Sequence, residues 1–475
     1  MHKIIFSQTN IEKLIAEKQL SVDALLEQFQ RSDLISVTRY NDSAGLPWGS
    51  WKNVAAALDE FLVKNDWKFE PRDLTFNVNV AYFAPSSFIQ APPEEILLIL
   101  KKCSQTQLNF ILVKLEIVNY LFALFIKDSN YLKQIDIAFF ITFLQALTQS
   151  KKLSSDEERK ICQNFLTLHH LTLGSTEYQF LEKRIQSLQR PSTPLLQKKP
   201  LKIALLICGQ LRGFEYSVPR FEKKFAPLGD IDAYVSSWED VGYTRFNLQN
   251  AYRIFDKHTC DHLIEHKDTY DFSTFDEEIA KYTSEIYSPE SIKQLLAKHL
   301  HWCNALMINL KRHKEYPYNK MSNSEKMYYH NSYWIETLGH EYFKKYDLII
   351  KIRPDYFFRD ENAIPLTALS STSVLTDTPD YLFQEWGFGL GDQLWIGMSE
   401  PMLHLLNCHN KESLSYRYMY AFYNKESYQG HLNCGLEAWV NGLQIVPSNA
   451  SLLKSRLAST RLISFVEFNQ MNVGK

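Results

Sequence analysis

The stretch Leu201-Lys-Ile-Ala-Leu-Leu-Ile-Cys208, stopped by Gly209, constrains the fold more than any other part of the chain. A short, nearly continuous apolar run ended by glycine fits a central strand buried on both faces of a parallel sheet. Ile231–Trp238 and Tyr346–Arg353 read as partner strands, with shorter candidates at Ser373–Leu375, Gln393–Gly397 and Gly442–Val446. Helical spacing fills Ser324–Lys345, Pro401–Cys408 and Cys434–Val440 between them. Strands alternating with helices predict an α/β fold, a Rossmann-like α/β/α sandwich, over residues 201–475.

Upstream the texture differs. Three prolines, a serine, a threonine and two lysines within Gln189–Pro200 break every periodic pattern, so residues 191–200 read as an extended linker. A chain of 475 residues exceeds one ordinary domain, which allows a mainly α-helical N-terminal domain over 1–190, with a subdivision near 92. Its helices are expected in PPEEILLILKKC, in LNFILVKLEIVNYLFALFIK, in LKQIDIAFFITFLQALTQS and through Asp156–Leu168. Before residue 92, Ile11–Phe29 and Leu58–Val63 read as helical and Thr75–Phe83 alternates like a strand. This part carries no chemistry of its own, so acceptor binding or homo-oligomerisation is its expected task, with simple structural support an equal alternative.

Composition excludes several classes. Lys and Arg total 52 against 54 Asp and Glu, a net charge of -2, which gives no bulk attraction for nucleic acid. Seven cysteines without a CxxC pair point to reduced thiols, Cys208 among them, and to a cytoplasmic protein. The N-terminus gains charge at Glu12 and Lys13 before any long apolar run, so no signal peptide is expected. Leu108–Ile126 contains Lys114 and Glu116, and Ile135–Leu147 is shorter than the roughly 20 residues of a membrane span; both read as buried helices.

In open α/β sheets the ligand sits beyond the carboxyl ends of the strands, which singles out four places. After the first strand, Gly209-Gln-Leu-Arg-Gly213 allows close backbone approach and lets Arg212 face a phosphate, or is a tight turn with a surface arginine. After the second, Ser236, Ser237 and Trp238 either hold a base or ribose or belong to the core. The third strand delivers Arg353 and Asp355 to its tip, a guanidinium to neutralise phosphate and a carboxylate able to hold a divalent cation. The fourth place is Gly387-Phe-Gly-Leu-Gly-Asp392-Gln393, where Asp392 is a candidate base and Gln393 a sugar contact; Glu437, on a short helix in His431–Val440 whose neighbours look buried, is a further carboxylate. Lys454, Arg456 and Arg461 add charge if the tail folds over the site. The histidines at 169–170, at 258, 262 and 266, and at 299 and 301 lack the carboxylate partners of a metal motif.

The order ICGQLRG, YVSSWED, YDLIIKIRPD, GDQLWIG over roughly residues 201–450 resembles bacterial GT-A-type glycosyltransferases of surface-glycan and protein-glycosylation loci. The resemblance implies a GT-A-like fold and transfer of a hexose, with UDP-glucose the favoured donor and a polymerising, retaining α-1,6 transfer onto Asn-linked glucose the favoured reaction. It places Gly209, Gln210, Arg212, Ser236, Ser237 and Trp238 at the nucleotide and Gln393 at the sugar. Arg353, Asp392 and Glu437 take catalytic roles. Asp355 would ligate Mg²⁺ or Mn²⁺, although Arg353 replaces the first carboxylate of the usual Asp-x-Asp motif, which leaves metal dependence open. The alternatives are a capsule or lipopolysaccharide glycosyltransferase acting on a lipid-linked glycan, and a non-catalytic sugar-binding or scaffolding module.

Overall fold

The structure is a computed structural model. It describes residues 4–7, 35–38, 89 and 92–471, apart from 104, 151–152, 170–173, 197–199, 240–245, 247–250, 252–253, 276–277, 280–287, 360–362, 379, 385–386, 424–429 and 455–462. The helix expected at 11–29, the elements expected at 58–63 and 75–83, and His170, Arg456 and Arg461 lie outside the described residues. Strands β1 (Ile4–Ser7) and β2 (Ile35–Thr38) pair in parallel.

The fold is mixed α/β around a mostly parallel sheet. Its strands are β3 (Leu201–Cys208), β4 (Gly229–Trp238), β5 (Ala305–Lys311), β6 (Leu348–Ile352), β8 (Ser373–Thr376), β11 (Leu394–Met398) and β12 (Gln444–Pro447), in the spatial order β12-β8-β11-β6-β3-β4-β5. Every neighbouring pair is parallel except those that β11 makes, since it runs antiparallel to both β6 and β8. Short pairs flank the sheet: β7 (Tyr356–Phe358) with β13 (Leu452–Lys454), and β9 (Leu382–Gln384) with β10 (Gly387–Gly389). Strand β5, the sheet-edge strand, was not among the expected strands: its apolar run Ala305–Ile308 is short, is followed by Asn309, and is mostly exposed or half-buried.

Side chains alternate across a strand, and here the two faces build two cores. Ile203, Leu205 and Ile207 of β3 join Ile231, Val235, Ile350, Leu394 and Ile396 beneath Val218, Phe221, Phe225, Ile292 and Leu296. Ala204, Leu206 and Cys208 face the other way with Tyr234, Ile349, Val374 and Trp395. That second core continues without a break into the upstream helices α1 (Pro93–Lys102), α2 (Gln105–Leu112), α3 (Leu115–Lys127), α4 (Ile137–Ser150), α5 (Ser155–His169) and α6 (Thr176–Ser187). The segment expected as one helix through LNFILVKLEIVNYLFALFIK is two, separated where Lys114 is extended (φ −83°, ψ 110°). The break lets α2 and α3 both pack on α4. The long helix expected from 324 ends at Gly339 (φ 85°), leaving α7 (Asn323–Leu338) and a short turn of helix at His340–Phe343.

Downstream, α8 (Ser399–Leu406), α9 (Leu414–Tyr423) and α10 (Gly430–Val440) complete the second layer. Part of the stretch expected as an extended linker bonds to the chain: Leu195 N–H donates to the Leu369 carbonyl (3.0 Å) and Ser371 N–H to that of Thr193 (2.8 Å). A third, small core joins Phe255, Leu263 and Phe275 to Ile463, Phe468 and Met471 of the tail.

A buried polar cluster is among the contacts that tie the upstream helices to the α/β layers. Arg184 of α6 makes a bidentate pair with Glu158 of α5, both bonds 2.8 Å, donates to the Trp439 carbonyl (2.5 Å) and stacks 4.6 Å from the Trp439 ring. Removing one member leaves a buried charge uncompensated, at a cost of about 3–5 kcal/mol. Glu158→Ala is therefore expected to lower the thermal midpoint by several degrees, measured by differential scanning fluorimetry; an unchanged midpoint would show that the pair contributes nothing to joining these layers.

Candidate functional site

The site follows from the direction of one strand. Because β11 is antiparallel to β6, its first residue Leu394 pairs with Ile352, the last of β6, and β3 ends alongside with Ile207 opposite Ile352. The turns after β3 and β6 and the turn before β11 thus meet at one sheet edge. They bring together Arg212, Arg353, Asp355 and Asp392, expected as site residues from three separate motifs. Gly209, at φ 119°, makes a turn that L side chains rarely adopt.

The geometry inverts the expected division of labour. Arg353 Nε and Nη2 donate to the two oxygens of Asp355, each at 2.9 Å, and Nη1 donates to Asp392 Oδ2 at 3.1 Å. Arg212 Nη2 adds a bond to Asp355 Oδ2 at 3.3 Å. The carboxylates are 1% and 4% exposed, whereas the Arg212 and Arg353 side chains keep 16% and 14%. The arginines are thus the more exposed members of the cluster, and the acids are almost fully covered and serve as anchors. Burial opposes the charge on Asp392, but Arg353, Lys351 and His431 outweigh it and hold the carboxyl below its usual range. A carboxylate so held is a poor acceptor of protons near neutrality.

The turn before β11 is itself braced. Asp377, just past β8, accepts the N–H groups of Gln393 and Leu394, both at 3.1 Å, and Gly391 leaves room for it, since a Cβ there would lie 2.6 Å from Asp377 Oδ2. Gln393 returns its carbonyl to the Arg353 N–H (3.0 Å). Lys351, buried within β6, donates to the Asp392 carbonyl and lies 4.6 Å from the Trp395 ring. Asp377 lies outside the quoted motifs and Lys351 lies within the strand of YDLIIKIRPD without a role of its own there, and only their approach in space marks them.

Other expected residues are placed elsewhere. Ser237 Oγ donates to the Gly209 carbonyl (2.6 Å), and Ser236 Oγ lies between His330 Nδ1 (2.8 Å) and Asn309 Nδ2 (3.1 Å), so both hydroxyls are spent inside the protein. Trp238 is 5% exposed, packed edge-on to His330 with ring centres 4.2 Å apart. Gln210 is half-buried in the turn after β3. Glu437 lies on α10 almost two turns beyond His431, and its carboxylate accepts from Ser415 Oγ and from Asn441 Nδ2 (2.8 Å). Its bonds serve helix packing between α9 and α10, and they do not reach the arginines. Burial pushes the Cys208 thiol up to about 12, which leaves it no nucleophile. Lys454 pairs through its backbone with Tyr356, next to Asp355. On the helix Lys257–Glu265, His262 Nε2 meets Tyr270 OH at 2.8 Å and the ring packs on Phe465.

The described residues do not fit a divalent cation at Asp355. Both of its oxygens are taken by guanidinium groups, and a metal would have to displace them. Among the described residues there is no group of three or more His, Cys, Asp or Glu arranged to hold a metal ion, and no helix long and apolar enough to cross a membrane. A recess of about 730 Å³ lies at the opposite sheet edge, between Pro194, Asp347 and Pro401, and contains none of the residues above.

No protein-family model matches this chain, and no curated protein is significantly similar to it in sequence.

Several histidines bear on stability. Burial, aided by neighbouring cations and histidine, holds His330 down to about 3 and His404 and His409 down to about 4. An unfolded chain takes up protons on histidine below about pH 6.5, while these folded imidazoles stay neutral, so stability present above that pH is lost as pH falls towards 4. Thermal melts are expected to be flat between about pH 8 and 7 and to drop progressively below about pH 6.5; a midpoint constant down to pH 4.5 would contradict the buried, neutral histidines.

Proposed function

We propose that this protein is a nucleotide-sugar-dependent glycosyltransferase of GT-A-like architecture whose Arg212 and Arg353 bind the donor's diphosphate. The observation that carries the reading is the pair of partly exposed guanidinium groups, locked by buried carboxylates, at the carboxyl edge of a mostly parallel sheet. Planar guanidinium groups suit phosphate, and pre-fixed positive charge stabilises a departing diphosphate without reorganisation. Breaking the bond between sugar and phosphate demands that stabilisation above all. The hexose, with UDP-glucose as the first donor to try, and a glycan or glycosylated peptide as acceptor rest on the resemblance of the four motif segments.

In this reading the two arginines do the work commonly given to a cation, and Asp355 positions them. Asp392 fixes Arg353 from the other side, so that the guanidinium plane is set before the donor arrives. Gly209 and Gln210 line the approach to the phosphates.

Two measurements test this. Purified protein with a panel of nucleotide sugars should release nucleoside diphosphate, and UDP should raise the thermal midpoint. Arg212→Ala removes one charge-assisted contact yet leaves Asp355 paired with Arg353, so UDP affinity should fall about 10- to 100-fold with the fold intact. Chelation with EDTA should leave UDP binding unchanged. Silence towards every nucleotide and nucleotide sugar would remove the glycosyltransferase reading.

A further inference from the structure

His431 is the exposed titratable group at this edge that the motifs passed over. It lies in the first turn of α10, with half of its side chain exposed. The ring is clamped from behind: Nδ1 is 2.9 Å from the Leu390 carbonyl, and the Leu390 N–H returns a 3.0 Å bond to the His431 carbonyl. A carbonyl only accepts, so Nδ1 carries the proton and the neutral ring presents a bare lone pair at Nε2. Tyr328 OH also approaches Nδ1, at 3.3 Å. The clamp depends on close contact between α10 and β10, because a Cβ on Gly435 would stand 2.6 Å from Gly389 Cα.

Nε2 faces Asp392 Oδ1 at 3.9 Å, too far for a hydrogen bond. The other oxygen of that carboxylate holds Arg353. Imidazole and guanidinium thus flank one buried acid. The two carboxylates expected to act as bases are otherwise engaged, Asp392 with Arg353 and Glu437 with Ser415 and Asn441.

We infer that His431 takes the proton of the acceptor hydroxyl, a role that rests on the glycosyltransferase reading. The acceptor oxygen forms its bond to the sugar's anomeric carbon while the bond from that carbon to the diphosphate breaks. The electron pair leaves on the diphosphate beside Arg212 and Arg353, and the hydroxyl proton passes to Nε2. The imidazolium returns that proton to solvent from its exposed edge.

The test compares the wild-type chain with His431→Asn, which keeps a donor for the Leu390 carbonyl and removes Nε2, and with His431→Ala. Turnover with UDP-glucose and a glucosylated peptide should fall about 10²- to 10⁴-fold in both, while UDP affinity stays within twofold. Added imidazole should restore the alanine variant at least about tenfold, since the half-exposed position admits it. Turnover of His431→Asn within threefold of wild type overturns the inference, and is the result if the departing phosphate takes the proton instead. A loss that imidazole does not relieve, or that brings weakened UDP binding, marks a structural role and also overturns it. If the wild type neither binds UDP nor consumes any nucleotide sugar, the glycosyltransferase reading fails and this role with it; intact turnover with an indifferent His431 removes this inference alone.

Discussion

Arg353 is held by three hydrogen bonds to two buried carboxylates, and the arrangement of the whole sheet edge depends on that lattice. Isolated carboxylates in such a place would be costly, because burial disfavours their charge and each lone pair needs a donor. The guanidinium satisfies both acids at once, and Arg212 adds a second donor to Asp355. With its fork filled on the protein side, Arg353 cannot swing freely, so its remaining exposed surface is presented to solvent in one orientation. The result is a fixed positive surface built from a nearly neutral chain, which separates local electrostatics from net charge.

The lattice exists because β11 runs against its neighbours. Had it been parallel, Asp392 would sit at the far end of the sheet from Arg353. Antiparallel pairing puts the start of β11 beside the end of β6, and Asp377 and Lys351 brace the turn that delivers Asp392. The same turn leads back through Leu390 to α10 and His431, so the proposed proton acceptor and the proposed phosphate binder share a single structural support.

Much of this was legible along the chain. The buried strand ending at Gly209, the Arg353-Pro-Asp355 tip and the glycine-rich approach to Asp392 all stand at the edge the α/β rule assigns to ligands, because short apolar runs and turn glycines report local backbone needs. Legibility stopped where partners are distant in sequence. Ser236, Ser237 and Trp238 were expected just past a strand, yet they are the last residues of β4 itself and their side chains are internal, whereas the arginines stand in the turns past β3 and β6. Glu437 shares its segment with His431, but helical periodicity turns the two residues towards different neighbours, the acid to Ser415 and the imidazole to Leu390 and Asp392. Strand β5 has only the four-residue apolar run Ala305–Ile308, too short by itself to tell an edge strand from any other apolar segment.

By itself the sequence determined the α/β alternation, the apolar faces of the helices and the points where the chain turns, since these depend on periodicity and on glycine and proline, which act over a few residues. Only the tertiary structure decided that the acids serve as covered anchors for two less buried arginines, that the helices before residue 190 share a core with the sheet, and that His431 carries a fixed tautomer. Each of those depends on burial and on partners that the fold alone brings within bonding distance.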